Sequence, residues 1–383
     1  MNHTTATFIH TSDLQLGMER DFLGADQELF HDSRLRAIDK LGELARSEGA
    51  EFIVVAGDVF EANSLSDRVT GRILEKFRDL PVPVYLLPGN HDPLVADSIF
   101  RRTDGIEGVH VVDSTVPVEV APGVEIVGAP WRSKFPVGDL VFEALAPLAP
   151  TPAIRIGLAH GQVSSFGDEN APGLIDLAYA EQRIADGTID YLALGDSHST
   201  APLGDSGRVW FSGAPETTDY HERTGDDTGG EHNSGNALVV RVTKSTPADA
   251  AVTVEEHRIG EWTFDALHAE LYSREDVDDF LARLDAYPNK SRTCVKYALS
   301  GTLDLTSTRA LEVGIAERAP VFSALYNRER LDQLYLEPDE EELASLSLGG
   351  VGDAALAELL GDVDDVVSRD AATLVFRLSK EAN

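Results

Sequence analysis

The stretch Pro88-Gly89-Asn90-His91-Asp92 decides how this chain is read. It follows an apolar run, Val82-Pro83-Val84-Tyr85-Leu86-Leu87, that has the character of a buried strand. Pro88-Gly89 stops the strand, and Gly89 lets the backbone turn sharply with no Cβ in the way. An amide oxygen, an imidazole and a carboxylate follow in immediate succession. Open α/β sheets deliver their chemistry in this manner, at the carboxyl edge of the strands. Taken alone, the stretch reads equally well as a polar loop of turn-forming residues.

Four other apolar runs end alike and outweigh the loop reading. Phe8-Ile9-His10-Thr11 runs into Ser12-Asp13-Leu14-Gln15, and Phe52-Ile53-Val54-Val55-Ala56 into Gly57-Asp58. Ile154-Arg155-Ile156-Gly157-Leu158-Ala159 runs into His160-Gly161, and Tyr191-Leu192-Ala193-Leu194 into Gly195-Asp196-Ser197-His198. Between the first three runs lie helical patterns. Leu35, Ile38, Leu41, Leu44 and Ala45 recur at helical spacing within residues 33–47, with Gly49 as a stop, and residues 67–80 repeat the pattern. Strand alternating with helix predicts parallel strands.

Further along, residues 138–149 and 174–185 read as helices, and residues 109–112, 124–128, 209–212 and 237–242 as strands. A polar loop spans residues 217–234, and its His221 and Glu222 read as solvated. The character changes near Arg258-Ile259-Gly260. Helices over 276–284 and 306–317, with strands over 293–300 and 321–326, predict a small α+β domain. From Glu337 onward acids crowd together, with leucines interspersed, as in a solvated helical segment. The expected division is therefore 1–258, 259–335 and 336–383.

Composition narrows the class. At 383 residues, with 42% hydrophobic and 26% charged content, this is a globular chain of more than one domain. No apolar run approaches the ~20 residues of a membrane helix, so no membrane association is expected. The start lacks the pattern of a secretory signal. One cysteine, Cys294, excludes an internal disulfide framework and reads as a buried thiol. Together these point to the cytoplasm. A net charge of −34 argues against nucleic-acid binding through a basic surface, but not against a site where metal ions supply the positive charge.

Asp13, Asp58, Asn90, His160, Asp196 and His198 offer oxygen and imidazole donors. Such a set suits manganese, magnesium or iron better than a thiolate-preferring metal. Asp58 is the natural carboxylate to bridge two ions, and two ions ~3.5–4 Å apart can clamp a phosphate. His91 beside them is placed to act as a general acid. His10, inside its strand, reads as support for the donors. Trp131, Trp210 and Tyr220 could stack on bases, although aromatic residues are more often core.

At this point His10-Thr11-Ser12-Asp13, Gly57-Asp58-Val59-Phe60, Gly89-Asn90-His91-Asp92, His160-Gly161 and Gly195-Asp196-Ser197-His198 resemble the five motifs of calcineurin-like metallophosphoesterases. Phe60 and Ser212-Gly213-Ala214-Pro215-Glu216 are similar to the SbcD-like branch of DNA-repair exonucleases. The resemblance covers residues 7–243. It implies an α/β fold, a four-layer sandwich of two mixed sheets flanked by helices, and a dinuclear, usually manganese-dependent phosphodiesterase. One ion would take Asp13, Gln15, Asp58 and His198, and the other Asp58, Asn90, His160 and Asp196. His91 would be the catalytic histidine, and the small domain would cap the site. DNA and an SMC-like coiled-coil ATPase of the SbcC type are the implied partners, with a homodimer as a further expectation.

Two positions depart from the family pattern. Gln15 and Asp196 stand where the family has histidine. Oxygen thus replaces nitrogen twice, which tilts the site toward manganese or magnesium. A weakly held first ion, a mononuclear site and simple surface polarity at both residues stay open. A small-nucleotide phosphodiesterase or phosphatase, and a weakened scaffold for an ATPase, are the competing functions.

Overall fold

The computed structural model describes residues 3–164, 172–223, 229–336 and 349–360, with short pieces beyond. In chain order the strands are β1 (Thr4–Thr11), β2 (Phe52–Val55), β3 (Val84–Leu86), β4 (Val109–Val111), β5 (Val118–Ala121), β6 (Val124–Gly128), β7 (Ile154–His160), β8 (Tyr191–Gly195), β9 (Ala201–Leu203), β10 (Val209–Phe211), β11 (His221–Arg223), β12 (Gly229–Gly230), β13 (Asn236–Thr246), β14 (Asp249–Arg258), β15 (Thr263–Leu271), β16 (Thr293–Leu303), β17 (Ala324–Asn327) and β18 (Gln333–Leu336). The helices are α1 (Gln27–Glu48), α2 (Asp67–Arg78), α3 (Leu140–Leu145), α4 (Leu177–Ala185), α5 (Arg274–Asp285), α6 (Leu305–Arg318) and α7 (Val351–Leu360).

The chain packs as two units, Met1–Tyr220 with Gly230–Trp262, and His221–Gly229 with Thr263–Asn383. Residues 259–262 thus pack with the first unit and residues 221–223 and 229 with the second. In the first unit, one sheet runs β14-β13-β1-β2-β3-β4 and the other β5-β6-β7-β8-β10-β9. Both are mixed: β1 to β4 pair parallel while β13 and β14 pair antiparallel, and β6-β7-β8-β10 pair parallel between antiparallel β5 and β9.

Side-chain alternation explains the layers. Phe52 and Val54 of β2 face the second sheet, together with Phe8, Tyr85, Ile154, Ile156, Tyr191 and Ala193. Ile53 and Val55 point the other way, into a core shared with Ile38 and Leu41 of α1 and Ile73 and Phe77 of α2. On the far side, Leu192 and Leu194 of β8 meet Val141 and Ala144 of α3 and Ala180 and Ile184 of α4. Strands apolar on both faces need cover on both faces, and helix–sheet–sheet–helix supplies it. This is the expected four-layer sandwich. Helix ends follow their capping residues: Ser66 accepts from Val69 N–H, Asp176 from Tyr179 N–H, and Gly49 closes α1 at φ +64°.

The second unit corrects one expectation. Its β11, β15, β16, β17 and β18 all pair parallel, with α5 between β15 and β16 and α6 between β16 and β17. Strand–helix alternation of this kind is α/β rather than α+β. Its core holds Leu267, Phe280, Leu284, Val295, Leu299 and Leu311. His221 and Glu222 belong to β11, and Glu222 pairs with Lys296 and Arg328, so this part of the polar loop is not simply solvated. Cys294 is buried, as its strand-like setting predicts. Most of the acidic segment, including residues 337–348 and 361–366, lies outside the described residues. Among the described residues no helix is long and apolar enough to cross a membrane.

Candidate metal centre

Parallel pairing brings the polar strand ends together. His10 lies opposite Val54 and Thr11 opposite Val55, while Val55 lies opposite Leu86, so the segments carrying Asp13, Asp58 and Asn90 leave one sheet edge side by side. In the other sheet His160 lies opposite Gly195, which starts the Asp196–His198 turn. Backbone bonds extend the pairing past the strands: Asp13 N–H donates to Gly57 C=O at 3.0 Å, and Gln15 N–H to Asp58 C=O at 2.9 Å.

Donor atoms of Asp13, Asp58 and His160 all lie within 4.8 Å of one another. His160 Nε2 is 2.7 Å from Asn90 Oδ1, 3.3 Å from Asp58 Oδ2 and 3.8 Å from Asp196 Oδ1. His198 Nε2 is 3.9 Å from Asp13 Oδ1 and 3.3 Å from the Gln15 side-chain nitrogen. Asp196 N–H donates to Asp13 Oδ2 at 3.2 Å, joining the two sheets. His91 N–H donates to Asp58 Oδ1 at 3.0 Å, and its Nε2 is 3.9 Å from Asp58 Oδ2. All eight residues expected from the sequence therefore converge. Gln15 is 2% exposed, which removes surface polarity as its explanation.

Two glycines make room. A Cβ on Gly57 would lie 2.2 Å from His160 Nδ1, and one on Gly89 would lie 2.1 Å from Asp58 Oδ1. His160 Nδ1 sits 2.9 Å from Ala56 C=O, so it carries the hydrogen and Nε2 faces the acids.

The electrostatics call for a cation. Burial pushes the Asp13 carboxyl up to about 6, against the pull of His160 and His198. Burial likewise favours neutral Asp58, yet His160 and His91 hold it below the usual carboxylate range. Burial would lower His198, but its bond to Glu231 and the charge of Asp13 push it up to about 9. His91, His160 and His198 each bring a ring nitrogen within 4 Å of the Asp13, Asp58 or Asp196 carboxylates. The Gln15 side-chain oxygen is buried with no hydrogen-bond partner among the described residues. An orphaned acceptor beside clustered carboxylates is the signature of a cation site, so the donor set fits divalent ions.

Sequence reasoning left several contributors without a role. Asp92, fully buried, accepts from Gly89 N–H at 2.7 Å and Phe60 N–H at 2.9 Å, pinning two donor loops; burial raises its carboxyl to about 8. Glu61 C=O lies 3.1 Å from His91 Nδ1. Glu231 Oε1 lies 2.8 Å from His198 Nδ1. Asp92 was legible beside His91, whereas Glu231 sits in a Gly-rich loop that carries no pattern. His10 uses both ring nitrogens, on Tyr191 OH and Leu194 C=O, and burial lowers it to about 3, so it supports rather than coordinates. Trp131 is buried and donates to His160 C=O at 2.7 Å, and Tyr220 is buried as well, so neither presents a face for stacking.

This fold and this cluster are those expected of a phosphoesterase family with a metal centre. The chain belongs to the calcineurin-like phosphoesterase family, whose profile matches residues 6–230. That is a family of phosphoester hydrolases that uses a dinuclear centre of divalent ions. Over 216 residues it is 28% identical to the uncharacterized metallophosphoesterase YhaO of Bacillus subtilis, covering 52% of this chain and 50% of YhaO. It is 27% identical over 150 residues to the DNA double-strand break repair protein Mre11 of Archaeoglobus fulgidus, covering 33% of each chain. The Mre11 of Saccharolobus solfataricus is 23% identical over 257 residues, covering 64% of this chain and 63% of that one. The chain thus spans less than two thirds of each relative.

Proposed function

We propose that the chain is a DNA nuclease, in the branch of SbcD-like repair exonucleases. The observation that carries this reading is the likeness to two archaeal Mre11 proteins, described as DNA double-strand break repair proteins. Asp13, Gln15, Asp58 and His198 would hold one divalent ion, and Asp58, Asn90, His160 and Asp196 the other, with Asp58 shared. The hard oxygen donors favour manganese, with magnesium or iron as substitutes. When bound, the ions supply positive charge for the phosphate and an acidified water.

His91 holds the proton for the leaving oxygen. Glu61 C=O accepts from Nδ1, leaving Nε2 as the nitrogen that exchanges a proton with substrate. The side chain is 38% exposed, so a substrate can reach it. The Asp58 carboxylate accepts from the His91 N–H and so fixes that residue's backbone beside the shared donor. An SMC-like ATPase of the SbcC type, a homodimer and a cytoplasmic setting complete the reading.

The test is hydrolysis by the purified chain with manganese on linear duplex DNA, single-stranded DNA and cyclic nucleotides. Cleavage of DNA is the expected result. Activity confined to small esters would overturn the nuclease reading, and inactivity with bound metal would favour a scaffold.

A further inference from the structure

His198 is held from behind by two residues far away in sequence. Thr218 and Glu231 approach its Nδ1 at 2.6 Å and 2.8 Å. Glu231 is 8% exposed and its other oxygen accepts from Thr218 N–H at 2.9 Å. The Thr218 hydroxyl donates to Glu231 Oε1 in a short bond. Its single hydrogen is therefore spent, and the lone pairs of both oxygens face Nδ1. An ionised carboxylate can only accept. Nδ1 must then carry a hydrogen, which leaves the lone pair of the neutral ring on Nε2, the atom beside Asp13 and Gln15. The carboxylate lies on the ring nitrogen opposite the donor atom, as in the carboxylate–histidine pairs that orient metal ligands.

We propose that Glu231 is a positioning residue for the metal centre: with Thr218 it fixes the tautomer and angle of His198 and thereby sets how tightly the ion at Asp13 is held. The inference rests on His198 being a metal donor. Thr218 and Glu231, 13 residues apart in sequence, thus converge on one imidazole. Gln15 is neutral and weak as a ligand, so the hold on this ion falls more heavily on a well-oriented His198.

The experiment is manganese titration of the full chain by calorimetry, with imidazole tautomers read by nitrogen-15 NMR on the metal-free protein at a pH above the His198 ring's own value of about 9, where the ring is neutral. Glu231→Ala should weaken manganese binding about 10–100-fold and move His198 to mixed tautomers. Glu231→Gln, which keeps the shape and one acceptor, should lie between Ala and wild type. Thr218→Val serves as the second probe should Glu231→Ala fail to fold, and should weaken binding in the same direction. Affinity within about twofold of wild type in the Glu231 variants, with His198 still protonated at Nδ1, would overturn the proposal. His198→Ala separates the two premises. If that variant keeps both ions, His198 is no ligand and the site reading fails; if it loses one while Glu231→Ala changes nothing, only the role of Glu231 fails.

Discussion

Gly57→Ala puts the packing of the centre to its hardest test. Gly57 has φ +95°, a conformation that disfavours any Cβ. The new carbon would also lie 2.2 Å from Nδ1 and 2.4 Å from Cγ of His160, where ordinary contact begins at 3.4 Å. The ring would have to retreat by more than an ångström. It has nowhere to go, being 1% exposed, with its carbonyl held by Trp131 and its Nδ1 by Ala56 C=O. Left-handed backbone costs an L-residue about 1–2 kcal/mol, and overpacking a buried site costs about 1–3 kcal/mol. The expected loss is therefore about 2–5 kcal/mol, a large share of a typical stability of about 5–15 kcal/mol. Urea unfolding of the metal-free protein reads the stability, and mass spectrometry of the manganese-loaded protein reads the ion count. Besides the lower urea midpoint, the variant should lose the ion that His160 holds. A change below about 0.5 kcal/mol, the range of an unremarkable surface substitution, with both ions retained, would refute the reasoning.

Other outcomes follow from single contacts. His91→Ala should abolish hydrolysis while leaving metal content near normal, since its ring is not among the proposed donors; metal loss on elemental analysis would mean that its role is misassigned. Asp58→Asn should cost both ions, and retention of both would remove it as the bridge. Gln15→Asn draws the carboxamide back by one carbon–carbon bond, about 1.5 Å, and should weaken manganese binding in calorimetry. Its stability should change by less than about 1 kcal/mol, because relief of left-handed strain and loss of one buried methylene, about 0.8 kcal/mol, oppose each other. The hydrogen bond to Arg36, aided by Lys40, holds Glu261 down to about 2, below its usual range. Its stabilisation is therefore complete above pH ~4.5 and lost as pH falls from there toward 2; Arg36→Ala should flatten that part of a pH–stability curve.

What was legible in the sequence was legible for physical reasons. β1, β2, β3, β7 and β8 are apolar on both faces and end in glycine or polar residues, so their number, direction and chemistry could all be read from short runs. β15 could not. It carries Asp265 and His268 in the middle of the run, and Asp265 is buried because Tyr287 OH donates to it at 2.5 Å, a partner far along the chain. Missing that strand hid the strand–helix alternation of the second unit and led to the α+β expectation. β14 escaped for another reason: its Glu255, Glu256 and His257 are those of a half-solvated antiparallel edge, which looks like a linker. At the site, donors that follow strands announced themselves, whereas Glu231 acts through a loop whose composition says only that it is polar.

Backbone strain supplies an independent argument for the donor set. Among the described residues, the non-glycine residues with positive φ are Asp13 at 52°, Gln15 at 40°, Asp58 at 53° and Asp196 at 101°. Each such conformation costs on the order of 1–3 kcal/mol unless its surroundings enforce it. They are enforced here: Asp13 and Gln15 are tied by backbone bonds to Gly57 and Asp58, and Leu16 N–H to Val59 C=O at 3.0 Å. A turn made only to reverse the chain would place glycine at these positions and shed the cost. Side chains with donor oxygens sit there instead, so the strain serves their aim rather than the turn. Gln15 and Asp196, the two departures from the family pattern, share this strain with Asp13 and Asp58. That shared conformation is the physical reason to treat all four as one constellation, in which Gln15 and Asp196 offer oxygen where the family pattern has histidine.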